Sequence, residues 1–127
     1  MDDNTKNPKL KTVRDEDFEN IYANVVRYES NAFDLKVVLG EIDLSGAVET
    51  HRMHTGLTIP WSAAKIAIYY LTVNIMFHEA LNGKVKLPPS QIPPMLELPP
   101  EAANDPVQKK IYEGISAFRD QFIKDNF

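Results

Sequence analysis

Acid–base or metal chemistry in this 127-residue chain would have to start from three histidines, and two of them fall in one short stretch, Glu49-Thr50-His51-Arg52-Met53-His54-Thr55-Gly56-Leu57. On a strand, residues two apart share a face, so a His-x-His pair can hold one cation. The spacing here is His-x-x-His, which sends His51 and His54 to opposite faces. A helix would reunite them, but Thr50, Thr55, Gly56, Thr58 and Pro60 make the segment a poor helix. The two imidazoles therefore do not share a metal within one chain. A softer constellation remains. A hairpin turning at Gly46 sets Asp43 across from His51, with Glu41 two residues along on the same side. One imidazole and two carboxylates can hold a divalent cation, which gives an alternative reading as a small metal-dependent enzyme or metal-binding protein. The competing expectation is a polar hairpin end in which Asp43 and His51 share a hydrogen bond.

The third histidine, His78, lies four residues after Asn74. No serine or cysteine nucleophile accompanies the pair, so the expectation is that they hydrogen-bond across a helix–helix contact and fix its register. Other chemistries are excluded more firmly. With no cysteine, zinc ribbons, thiol nucleophiles and disulfides are ruled out. No two of the five glycines are close enough for a phosphate-cradling loop or a dinucleotide fingerprint. A net charge of −4 argues against a nucleic-acid partner. No cofactor is expected, and no catalytic residue is assigned.

Residues 1–18 read as a flexible arm without the apolar run of a signal peptide, and a cytoplasmic location is the default. The longest uncharged stretch, Ile66 to His78, is too short for a membrane span of about 20 residues. Residues 19–87 form the core. Two β-rich segments around Ile21–Tyr28 and Phe33–Gly40, separated by turn residues, predict a hairpin. Pairing Tyr28 with Phe33 sets Val26 opposite Leu35 and Arg27 opposite Asp34. Apolar positions are odd through Leu39 and even at Ile42 and Leu44, a phase change beside Gly40 that a β-bulge would make. A third strand follows at 50–59.

Pro60 suits the start of a helix spanning residues 61–82, which Gly83 closes. Ile66, Tyr70, Val73, Phe77 and Leu81 fall on one stripe of it; Ala64, Ile68, Leu71 and Ile75 fall on another. A helix packed only on its own sheet needs one apolar stripe, so two stripes imply two neighbours. Tyr70, Leu71, Val73, Asn74, Ile75, Phe77 and His78 are the candidate subunit contact.

Residues 88–104 are rich in proline and expected to lie over the domain as a polyproline strap, the other reading being a ligand for a proline-recognition domain. Residues 105–127 open with Asp105 and Pro106, a good helix start, and carry an amphipathic helix that must dock. The fold class is therefore α+β: a three-stranded antiparallel meander packed on one long helix, a proline-rich strap and a C-terminal amphipathic helix.

Tyr-Ala-Asn-Val-Val-Arg at 22–27, Phe33 to Asp43, and Ile-Pro-Trp-Ser-Ala-Ala-Lys at 59–65 together resemble a family of small bacterial proteins classed only as a domain of unknown function. Its members show a similar first strand, an aromatic-x-Leu-x-Phe-Gly second strand, and a Ser-Pro-x-x-Ala-Lys helix start. Leu39 stands here in place of the family's Phe, and Ile59 in place of its Ser. The resemblance covers residues 21 to about 89; it implies the layout and carries no activity or site residue. The layout alone is similar to export-chaperone subunits. The expected function is a non-enzymatic homo-oligomeric interaction module with itself, and another protein, as partners, and a chaperone-like role is one form of it.

Overall fold

The computed structural model describes residues 9–127. Its element order is β1 (Val25–Ser30), β2 (Asp34–Asp43), β3 (Thr50–Pro60), α1 (Trp61–Asn82) and α2 (Pro106–Asn126), with short 3-10 turns at Pro89–Gln91 and Pro100–Ala102. The three strands form one antiparallel sheet in the order β1-β2-β3. The protein is α+β, as its patterning implies. The chain divides into two compact units within α1, one ending at Tyr69 and the other running from Tyr70 to Phe127.

The first hairpin keeps the expected faces but not the expected register. Ser30 pairs with Leu35, Tyr28 with Val37 and Val26 with Leu39. Asn31 is the cause. Its side-chain oxygen accepts from the backbone N–H of Phe33 (2.8 Å) and Asp34 (3.0 Å), which places the turn later than the Tyr28–Phe33 pairing requires. The slip is by an even number of residues, so Val26, Tyr28, Val37 and Leu39 still share one face. Arg27 now lies opposite Val38 and Asp34 opposite Pro60, so the expected cross-strand ion pair does not form.

A β-bulge does fall beside Gly40, but its extra residue sits on β3 rather than on β2, where the phase change in the sequence would put it. Leu39 pairs with Thr55 and Gly40 with Met53, leaving His54 as the extra residue. Gly40 is buried there, and a Cβ at this position would lie 2.8 Å from Met53 Cα and closer still to the Arg52 carbonyl oxygen. Only a residue without a side chain lets the two strands approach this closely. Imidazole Nε2 of His54 hydrogen-bonds the Tyr22 carbonyl oxygen at 3.0 Å, which fastens the segment leading into β1.

Pro60 is the last residue of β3, and α1 begins at once with Trp61, whose indole N–H donates to the Asn31 carbonyl (3.0 Å). At the far end Gly83, with φ 88°, donates to the Glu79 carbonyl and closes the helix. Asp105 caps α2 by accepting from Val107 N (2.9 Å), with Pro106 in the first turn.

The proline segment lies against α2. Pro93, Pro94 and Leu96 share a hollow of about 250 Å³ with Ile115, Phe118 and Phe122. The Arg119 guanidinium donates to the Pro93 carbonyl at 2.8 Å. The segment thus touches α2, but the burial expected of a strap is missing, since Ile92, Met95, Leu96 and Leu98 all keep exposed side chains. Among the described residues Ala102, in the second 3-10 turn, is the only buried hydrophobic residue. No residue of α1 or α2 is buried. An interior helix would bury a stripe, and α1 buries none.

Candidate functional site

The polar hairpin end joins β2 to β3, and the bulge decides its geometry. Beyond Gly40 the ladder pairs Glu41 with Arg52, Ile42 with His51, and Asp43 with Thr50. The expected Asp43–His51 pairing belongs to the register on the other side of the bulge. The extra residue, His54, shifts the ladder by one and turns His51 to the face opposite Asp43 and Glu41. The three side chains are therefore not brought together, and no cluster of three metal-ligating residues occurs among the described residues.

Asp43 instead accepts from the Ser45 hydroxyl (2.5 Å) and backbone N–H (2.9 Å), while its second oxygen takes Arg52 Nε at 2.7 Å. His51 reaches back to Glu49 (2.9 Å). The hydrogen bond from the Ser45 hydroxyl, followed by that from Arg52, holds the Asp43 carboxyl well below the usual carboxylate range. Arg52 is visible in the sequence beside His51, but its partner depends on the bulge.

A carboxyl whose folded pKa is depressed contributes stability above its unfolded pKa and loses it as pH falls through the folded value. Carboxyl NMR of Asp43 should accordingly show it ionised at pH values where an unfolded aspartate is already protonated. Asp43→Asn should remove this acid-side loss. A midpoint for Asp43 at or above the ordinary aspartate value would refute the Ser45 and Arg52 contacts.

The candidate contact residues lie on α1. Leu71, Ile75 and Phe77 are exposed to 63%, 51% and 68%, and Tyr70 is exposed as well, while Val73 is half-buried. Val73, Phe77, Met76 and Ala80 line an open apolar hollow of about 270 Å³. Asn74 and His78 do not bond to each other. The Asn74 amide donates to the Tyr70 carbonyl (2.7 Å), and Asn82 donates to the His78 carbonyl (3.1 Å). Met76, between the two stripes, is not among the expected contacts; its position in the apolar sequence of α1 is the available signal.

Despite this apolar character, no helix among the described residues is long and apolar enough to cross a membrane. No family model matches the chain, and neither a curated protein nor a solved structure is similar to it.

Proposed function

We propose that this chain is a non-enzymatic interaction module that assembles with copies of itself through α1. One observation carries the reading: a 22-residue helix with only Lys65 and Glu79 charged leaves no residue buried. A helix with two apolar stripes and only two charges ordinarily packs on neighbours, and water is a poor neighbour for its apolar faces. At about 25 cal/mol per Å² of apolar surface removed from water, covering such a face is a strong drive to associate. Exposed apolar patches of this extent mark interaction surfaces. The polar hairpin end offers no comparable concentration of chemistry, because its carboxylate is engaged by Ser45 and Arg52. A chaperone-like role, with the apolar grooves holding extended segments of a client protein, is a special case of the same surface chemistry.

Light scattering behind a sizing column, over a hundredfold range of concentration, tests the reading. The expected mass is an integral multiple of 14.4 kDa that persists on dilution. A monomer at every concentration would overturn it.

A further inference from the structure

The two charged residues of α1 say which way a second copy lies. They are two heptads apart, with Thr72 midway. When Ile68 and Ile75 are taken as a positions and Ala64, Leu71 and His78 as d positions, Lys65, Thr72 and Glu79 all fall at e, on one flank of that stripe. The stripe through Ile66, Tyr70, Val73, Phe77 and Leu81 is flanked by Ala67 and Asn74 on one side and by Tyr69 and Met76 on the other. Uncharged flanks carry no preference for direction. Only the stripe through Ala64, Ile68, Leu71 and Ile75 has charges beside it, and Ile68, Leu71 and Ile75 are each more than half exposed.

In a parallel pair each e position faces g of the other helix, and the g positions here are Ala67, Asn74 and Leu81. Both charges would then be set against uncharged groups, and the two copies of Lys65 would sit at one level. In an antiparallel pair e faces e. Layers of Leu71 against the partner's Ile75, and Ile68 against the partner's His78, then bring Lys65 beside the partner's Glu79 at both ends. Thr72 meets the partner's Thr72 on one flank, and Asn74 meets the partner's Asn74 on the other. Neither Lys65 nor Glu79 is spent on an ion pair within the chain among the described residues. Glu79 is also held in place, since its Oε2 accepts from the Val85 N–H at 2.7 Å. A carboxylate already fixed on the backbone loses less freedom when a lysine arrives.

We propose that α1 pairs with α1 of a second copy in antiparallel sense along Ala64, Ile68, Leu71, Ile75 and His78, with Lys65 of each copy against the partner's Glu79. The inference rests on the assembly reading above and adds the face, the direction and the charge pairing.

The absence of cysteine lets a single spin label be placed at will on the 127-residue chain. In the antiparallel pair, labels at Ser62→Cys lie about 33 Å apart along the axis, at ~1.5 Å per residue, while labels at Thr72→Cys are nearly level. Lys65→Glu should weaken association about tenfold by creating like-charge contacts at both ends, and Lys65→Glu with Glu79→Lys should restore it. Short distances at both labels in an oligomer would establish a parallel pair and overturn the proposal while leaving assembly intact. An oligomer indifferent to Lys65→Glu would move the contact to another face. A monomer in every variant and in the unaltered chain would overturn the assembly reading itself.

Discussion

Leu71→Asp is expected to turn the assembled protein into monomers. Leu71 is 63% exposed in the single chain, so an aspartate there meets water and costs the isolated fold little, within about 0.5 kcal/mol. In the pair proposed above, the same position would lie at the centre of the apolar stripe. Loss of a well-packed interface anchor costs about 2–4 kcal/mol, and a twofold arrangement places the change on both copies. The dissociation constant should rise by about a thousandfold or more. Sedimentation velocity measures it directly, with far-ultraviolet circular dichroism to show that α1 persists. Leu71→Met, similar in volume, should remain assembled. An unchanged sedimentation coefficient for Leu71→Asp with the helix signal intact would place the contact elsewhere.

Gly40→Ala carries the largest expected effect on the fold. The new methyl would stand 2.8 Å from both Met53 Cα and Met53 Sδ, as well as against the Arg52 carbonyl. The sulfur can move, but the backbone atoms move only if β2 and β3 separate at the bulge. Overpacking of this kind costs about 1–3 kcal/mol, and the lowering of Tm should be roughly 5–15 °C for a chain of this size. Gly114→Ala is the matching control. Gly114 lies in α2 with nothing within 4 Å of where the methyl would stand, so alanine should stabilise the helix by about 0.5–1 kcal/mol. A thermal melt of both variants reads opposite signs if the Gly40 contact is real. Equal small shifts would show that the sheet tolerates separation there.

How far the sequence discloses this structure depends on the range of the interaction concerned. An irregularity beside Gly40 is legible, because apolar residues break their period of two between Leu39 and Ile42, but the strand that carries the extra residue is not. The ends of α1 are visible because Pro60 and Gly83 act on the backbone locally. The hairpin register is not, since the turn is set by where the Asn31 side chain finds its donors, and Phe33 N–H and Asp34 N–H outcompete the turn centred two residues earlier. The Asp43, His51 and Glu41 grouping fails for a longer-range reason. It assumes one continuous ladder from Pro60 down to Thr50, and a single extra residue at His54 inverts every side chain beyond it. Both ingredients are present in the residues. Their combination needs the strand on which the extra residue sits, and the phase change read in β2 points to the wrong one. The span of α1 is legible because its start and stop signals are local, whereas the two neighbours that its two stripes imply are not found among the described residues, since no residue of α1 is buried.

The bulge also bears on how such a chain avoids the wrong kind of association. β3 lies at the edge of the sheet, eleven residues long, with one row of backbone donors and acceptors turned outward. A straight, uninterrupted edge of that length invites strands of neighbouring molecules to add on and grow into fibrils. His54 interrupts the row near its middle, adds local twist, and has its ring tethered to Tyr22. Pro60, with no N–H to offer, closes the run. Open-ended strand addition is thereby discouraged on β3, while the twofold helix pairing proposed above would be self-limiting.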